Sequence, residues 1–513
     1  MAAKWLKDAV FYEIYPQSFF DSNGDGIGDL NGITAKLDYV KSLGCSAIWL
    51  NPCFDSPFKD AGYDVRDYRK VAPRYGANED LVRLFETAHQ KGIRVLLDLV
   101  PGHTSEEHPW FLESKKAELN EYSDRYIWTG NWFQGAQGLR YISGEAERDG
   151  AYIINFFKSQ PALNYGFQHI TEFWQCPTDH SAAAATREAM KDVMRFWLKQ
   201  GCDGFRVDMA DSLVKYDDAD KRGTCAVWRD VRAMLDREFP ETVLVSEWNN
   251  PFQALRAGFD MDFYLNWRGN GYNTLLRDYE NWEGEDHSYF KKDGGGSINR
   301  FLNEYLSRYE GTKQDGYVSL ITGNHDTVRL GYTLDQSELK LALALLFTLP
   351  GVPFLYYGDE IGMRYQNLPT KEGGYARTGS RTPMQWDRGR NLGFSTGRAE
   401  DLYLPVDPAP DAPTVEEQER DGTSLLNTVR AVLALRRREA DLQADGDFQA
   451  LCREEGKPFV YRRGSLVLAV NPSGRPDSVS VDAGNGEVLL KIGEGSCENA
   501  ILFMGPQSFM ILR

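Results

Sequence analysis

Short apolar runs alternate with amphipathic stretches over most of this chain. The runs are Val10–Tyr15, Ala47–Leu50, Ile93–Val100, Gly204–Asp208, Thr242–Glu247, Gly258–Phe263, Tyr317–Ile321 and Val352–Tyr356. Segments this short and this uniformly apolar predict strands buried on both faces, as in a parallel sheet. Helical patterns lie between them, at 33–43, 81–90, 227–237, 338–347 and 429–438. Before Gly204, the residues Met190, Val193, Met194, Trp197 and Leu198 fall at i, i+3, i+4, i+7 and i+8, one face of a helix. Eight strand–helix units predict an α/β fold, a (β/α)8 TIM barrel, over residues 1–103 and 168–446. From 104 to 167 the alternation stops and the chain is rich in Gly, Asn, Trp and Tyr. This predicts an inserted subdomain on the loop after strand 3. Beyond 447 the segments shorten, alternate and end in Gly, Pro or Asn, which predicts a C-terminal antiparallel β-sandwich domain over 447–513.

Composition narrows the picture. The net charge of −17 disfavours nucleic acid and anionic membrane surfaces as partners. No apolar run reaches eighteen residues, so no membrane span is expected. The first residues lack the apolar segment of a signal peptide. The seven cysteines are scattered, odd in number and without a C-x-x-C pair, which fits reduced thiols in a cytoplasm. Whether the chain is a monomer or a homo-oligomer is left open.

Two stretches carry candidate chemistry. Asp21, Asn23, Asp25 and Asp29 place oxygen-bearing side chains at alternate positions of a Gly-containing loop, with the Ile27 carbonyl as a further oxygen. That spacing points to a structural Ca2+ ion, the alternative being a solvated acidic turn. No flanking helices complete an EF-hand, so a calcium sensor is not expected. The second stretch is Gly204-Phe205-Arg206-Val207-Asp208. Strand parity puts Arg206 and Asp208 on one face. Alone, such a pair reads as a buried structural ion pair. Asp98–His103, Glu247 and His325–Asp326, however, also stand at predicted C-terminal strand ends, the face that carries active sites in such barrels. Two carboxylates in acid and nucleophile roles are what glycoside hydrolysis requires. By these rules Arg206 keeps Asp208 ionised, and the apolar strand and Trp248 around Glu247 raise its pKa as a proton donor needs.

These motifs resemble the α-amylase superfamily, glycoside hydrolase family 13, nearly end to end. The matching segments are Asp98–His103 (with Gly102 where Asn is usual), Gly204–Asp208, Val245–Trp248 (with Ser246 where Gly is usual) and Gly323–Asp326. Gln160-Pro161-Ala162-Leu163-Asn164 is similar to a segment of the oligo-1,6-glucosidase and neopullulanase branches. The resemblance implies a retaining double displacement without an organic cofactor. Asp208 would be the nucleophile, Glu247 the acid/base and Asp326 the holder of the sugar's O2 and O3. Arg206, His103 and His325 would bind the −1 sugar. The Asp21–Asp29 loop, Asp60–Asp64 and Arg381–Asp387 are closer to oligo-1,6-glucosidases. In that branch Asp60 and Arg381 would pair to close the −1 subsite, with Tyr63 stacking on the glucose and Phe156 flanking it; read without the resemblance, they are a surface salt bridge.

The implied activity is an exo-acting α-glucosidase on short α-gluco-oligosaccharides, α-1,4 or α-1,6. Asp211-Ser212 replaces the Lys-His pair of endo-acting amylases, which speaks against starch. Met209, after the nucleophile, fits neither linkage pattern of that branch. The alternatives are a transglycosylase or isomerase of the trehalose synthase or sucrose isomerase kind, which segments 390–395 and 402–405 also echo, and a non-catalytic binding protein on the same fold. The loop 363–379 is expected to shape the +1 subsite.

Overall fold

The computed structural model describes residues 3–279, 284–293, 295–373, 377–482 and 486–513. Residues 374–376 of the 363–379 loop lie outside the described residues. Eight parallel strands close into a barrel. They are β1 (Phe11–Ile14), β2 (Ala47–Leu50), β3 (Arg94–Leu99), β4 (Gly204–Val207), β5 (Val243–Ser246), β6 (Met261–Tyr264), β7 (Tyr317–Ile321) and β8 (Val352–Tyr356). All but the first residues of β3 and β7 are buried, as runs covered on both faces require. Inside, Phe11 stacks on Phe354 at 4.3 Å, and Phe263 meets Phe354 edge-on at 4.9 Å. Gly204 allows β4 to approach β5, since a Cβ there would fall 2.1 Å from the Val243 carbonyl oxygen.

The outer helices include Asn78–Gln90, Ser181–Lys199, Arg222–Glu238, Ile298–Thr312, Gln336–Thr348 and Leu425–Arg438. The pattern expected as one helix over 33–43 is two, Leu30–Ala35 and Leu37–Leu43, meeting at Lys36. There the ammonium lies over the rings of Phe20 and Trp386, at 4.3 and 4.0 Å from their centroids. Asp29 caps the first of the pair by accepting from the Gly32 N–H. No helix among the described residues is long and apolar enough to cross a membrane. All seven cysteines are free thiols.

The inserted segment packs Ile127, Ala136, Ile153, Ala162 and Phe167 into a small core of its own. It is tied to the end of β3 by a bridge between His103 and Ala162. The C-terminal part has a five-stranded and a three-stranded sheet. Alternation along its strands has a direct reading. Phe459, Tyr461, Leu468, Phe509 and Ile511 join the barrel's core, whereas Val460, Val467, Ala469, Met510 and Leu512 face the second sheet.

The β8–β1 seam holds a buried acid. Glu360, just past β8, accepts from the Tyr12 and Tyr39 hydroxyls, both at 2.7 Å. Burial pushes its pKa up to about 7, against the two hydroxyl donors. The folded state therefore holds a proton there that the unfolded chain has released, and stability contributed by this group falls as pH rises from about 4.3 to 7. Glu360→Gln is expected to melt with the wild type at pH 4.5 but to be more stable at pH 8, by order 3 kcal/mol. Calorimetric melting at the two pH values checks this, and equal pH dependence of the two proteins would refute it.

Candidate active site

Barrel parity brings Trp49, Asp98 and Arg206 to the interior at the C-terminal strand ends. Arg206 is the hub. Its Nη1 donates to Asp98 Oδ1 at 2.8 Å and to Asp208 Oδ1 at 3.2 Å, and its Nη2 lies 2.7 Å from Glu247 Oε2. The Trp49 ring centroid lies 5.0 Å from its guanidinium carbon. Asp98 also accepts from Trp49 Nε1 at 3.1 Å and the Tyr63 hydroxyl at 3.0 Å. Burial drives the guanidinium toward neutrality, but Asp98, Glu247, Tyr63 and Asp208 together keep it charged. Burial pushes Asp98 up to about 6, with Arg206 opposing.

The expectation that Arg206 keeps Asp208 ionised is corrected here. Burial first, then the charge of Glu247, raises the Asp208 pKa well above the usual carboxylate range, and Arg206 only partly offsets them. One guanidinium cannot neutralise three carboxylates, and Asp98 and Asp208 both hold protons to higher pH than lone carboxyl groups would. Glu247 is not in a purely apolar setting. Its Oε2 also accepts from the Met209 N–H at 3.1 Å, and Met209 adopts a left-handed φ of 41°, uncommon for an unbranched apolar side chain.

A second correction concerns the gate. Asp60 is not bonded to Arg381. Its Oδ2 accepts from Gln160 Nε2 at 2.8 Å, and its Oδ1 lies 3.8 Å from Arg377 Nη1. Arg381 instead donates to Asp326 Oδ1 at 2.8 Å and to the His325 carbonyl at 2.8 Å. Arg377 reaches Asp326 as well, at 3.3 Å. Burial alone would raise the Asp326 pKa, but His325, Arg381 and Arg377 hold it far below the usual range. Burial lowers His325 itself to about 3, so near neutrality the two guanidinium groups carry that stabilisation.

His325 Nε2 lies 2.7 Å from the Tyr63 hydroxyl, and the rings stack at 5.2 Å. The Tyr63 proton goes to Asp98, so His325 Nε2–H donates to the Tyr63 oxygen. Its Nδ1 is then an acceptor, 3.0 Å from Asn51 Nδ2 and 3.0 Å from Glu13 Oε1. Glu13 is fully buried on β1, and burial raises its pKa well above the carboxylate range, so it stands there as a neutral acid. Sequence reasoning missed Glu13, Asn51 and Arg377; the signal for Glu13 was a lone acid inside an apolar strand.

Asp60, Tyr63, His103, Phe156, Asp208, Met209, Glu247, Asp326 and Arg377 line one cavity of about 120 Å3, with Arg140 and Phe157. His103 and Phe156 meet edge-on at 5.8 Å, and Phe156 is 41% exposed at the mouth. The cavity is far smaller than the roughly 300–1,000 Å3 of sites for drug-sized ligands.

The Asp21–Asp29 loop contributes nothing to this cavity. Asp21 accepts from the N–H groups of Asn23, Gly24 and Gly26 and from the Ser395 hydroxyl. Asn23 and Asp25 each accept from the N–H two residues on, and Asp29 accepts from Ser22. The donors are oxygens, as calcium needs. Among the described residues, however, no three His, Cys, Asp or Glu side chains gather as a cation site. A cation would have to draw Asp21, Asp25 and Asp29 together.

Fold and site together define a barrel enzyme with Asp98, Asp208, Glu247 and Asp326 at its C-terminal face, the first three on one arginine. Residues 13–445 match the alpha-amylase catalytic domain, and the chain belongs to that family, glycoside hydrolase family 13. It is 34% identical to the trehalose synthase/amylase TreS of Mycobacterium tuberculosis, over 93% of this chain and 84% of that protein. It is 32% identical to the oligo-1,6-glucosidase of Heyndrickxia coagulans, over 95% of each. Among solved structures, a trehalulose synthase, MutB, in complex with Tris superposes with a TM-score of 0.82 at 25% identity, over 99% of this chain and 100% of that one.

If Glu13 is neutral, Glu13→Gln should preserve both the fold and the His325 contacts. Glu13→Ala should lower the melting temperature by several degrees, because removing a buried partner costs about 1–3 kcal/mol. Differential scanning calorimetry of both variants checks this, and a Gln variant as unstable as the Ala variant would contradict the neutral acid.

Proposed function

We propose that this enzyme is a retaining, exo-acting α-glucosidase that releases glucose from the non-reducing end of short α-gluco-oligosaccharides. The observation that carries the proposal is a small cavity whose wall is crossed by Arg377. Arg377 lies between Asp60 and Asp326, and Arg381 binds the same Asp326 oxygen. A pocket walled in this way has room for a terminal sugar ring and no passage for a chain, which favours exo cleavage.

In this reading Asp208 attacks the anomeric carbon while Glu247 gives its proton to the leaving oxygen. Glu247 then takes a proton from water, which opens the glycosyl ester with net retention. The reactive microstate has its proton on Glu247 and an ionised Asp208. Burial and the neighbouring Glu247 charge raise the proton affinity of Asp208, which favours keeping one proton between the two carboxyl groups. Asp326, held ionised, takes the sugar's O2 and O3 hydroxyls. Arg206, His103 and His325 bind the ring, with Tyr63 and Phe156 along its faces.

A second reading, a glucosyl-transferring isomerase, is favoured by the similarity to a trehalose synthase/amylase. It uses the same ester with a sugar in place of water as acceptor. Anomer-resolved NMR of products from maltotriose, isomaltotriose, sucrose and trehalose separates the two. The expected result is early α-glucose from one or two substrates, and a fall of at least about 10^3-fold in turnover for Asp208→Asn. New disaccharides with little free glucose would select the isomerase. Absence of turnover on all four would count against both.

Calcium at the Asp21–Asp29 loop is proposed as a structural ion, supported by oxygen donors at alternate positions. EDTA is expected to lower the melting temperature by several degrees, reversed by added Ca2+. An unchanged melting temperature would mean that the loop's own hydrogen bonds suffice.

A further inference from the structure

Position 102 carries glycine beside the pocket histidine His103. A Cβ built on Gly102 would fall 2.9 Å from Asn155 Nδ2, so the space a side chain there would enter is already taken by a carboxamide from the inserted subdomain. The backbone of Gly102 is not in the left-handed region, and occupancy by Asn155 is what excludes a side chain. Asn155 Nδ2 lies 3.0 Å from the Gly102 carbonyl oxygen and 3.2 Å from His103 Nδ1. On its other side, Lys215 Nζ donates to Asn155 Oδ1 at 3.1 Å and to the Ser212 carbonyl at 3.1 Å.

The hydrogen-bond roles in this chain are forced. An ammonium only donates, so the Asn155 oxygen must face Lys215. Both carboxamide protons are then directed at Gly102 O and His103 Nδ1. Nδ1 is therefore an acceptor, and the imidazole proton sits on Nε2. There it donates to the Tyr63 carbonyl at 3.1 Å, an oxygen that can only accept. Burial lowers the His103 pKa to about 3, so the ring is neutral and its tautomer matters.

We propose that Asn155, oriented by Lys215, is a positioning residue that sets the tautomer and angle of His103 in place of a side chain at position 102. The Asn155 carboxamide comes from the insertion and Lys215 from the loop after β4, seven residues past Asp208. The relay thus ties the subdomain to both the sugar pocket and the nucleophile strand. It rests on the placement of His103 in the sugar-binding pocket.

The test uses the full chain labelled with 15N-histidine, and the variants Asn155→Ala, Lys215→Met, Gly102→Asn and the double variant G102N/N155A. The imidazole 15N spectrum reads the tautomer whether or not any substrate turns over, which separates this proposal from the assignment of activity. The wild type is expected to show His103 protonated on Nε2 alone. N155A and K215M are expected to show mixed tautomers, with kcat/KM on p-nitrophenyl α-glucoside reduced about 10- to 100-fold, the range found when groups orienting a functional histidine are lost. G102N alone displaces Asn155 and is expected to lose activity similarly. In G102N/N155A the carboxamide returns to the same space from the other residue, restoring kcat/KM to within about threefold of the wild type. A wild-type imidazole spectrum in N155A would overturn the proposal, as would a double variant no better than the worse single one. Melting temperatures exclude a merely unfolded variant, and K215M and G102N carry the test if N155A does not fold.

Discussion

Everything at the mouth of this barrel depends on one buried guanidinium. Arg206 touches Asp98, Asp208 and Glu247 and is 2% exposed. Burying a charge without compensation costs many kcal/mol, and three carboxylates around one cation leave the cluster short of positive charge. The fold contains that imbalance in two ways. Asp98 is given two neutral donors, Trp49 and Tyr63, which stabilise its charge without adding one. The remaining deficit appears as raised proton affinity in Asp98 and Asp208. The double displacement proposed above needs one proton between an acid and a nucleophile, and this charge deficit favours keeping a proton in the cluster.

The opposite wall of the cavity is built with the opposite imbalance. Asp326 faces Arg381 and Arg377, and its pKa falls far below the usual range. Two carboxylates lining one cavity are thus driven in opposite directions, Asp208 toward holding a proton and Asp326 toward never holding one. The histidines between them are kept neutral by burial, so neither disturbs this division. Their work is geometric. A carboxamide lies against Nδ1 of each, Asn155 at His103 and Asn51 at His325.

Strand parity made much of this legible from the residues alone. Arg206, Asp208, Glu247 and Asp326 stand where alternation and strand ends place them, because a buried parallel barrel leaves little freedom there. The Asp60–Arg381 pairing was not legible. Arg377 and Arg381 are one helical turn apart on an irregular loop, and which of them reaches Asp60 depends on how that loop folds. The same holds for the break at Lys36, where propensity favours one helix and the rings of Phe20 and Trp386 favour a bend. The Asp208 proton affinity was misread because neighbour charge was weighed pairwise. Arg206 beside Asp208 suggests ionisation only until Glu247 and Asp98 are counted against the same cation.

Hydrolysis and glucosyl transfer part company after the ester forms, so the carboxylate cluster alone does not distinguish them. The distinction lies in what stands over the ester when the leaving group has gone. Here Arg377 bridges the walls at Asp60 and Asp326, while Met209 sits at the pocket with a strained backbone that hands its N–H to Glu247. A guanidinium at the mouth attracts hydroxyl groups and water alike. A thioether side chain next to the nucleophile repels water but adapts to a sugar face. In the chemistry proposed above, these two residues are the ones that bear on the acceptor. Arg377 belongs to the irregular segment after β8, and Met209 follows the end of β4. Under that proposal, acceptor choice lies with Arg377 and Met209, and the first step with Arg206 and its carboxylates.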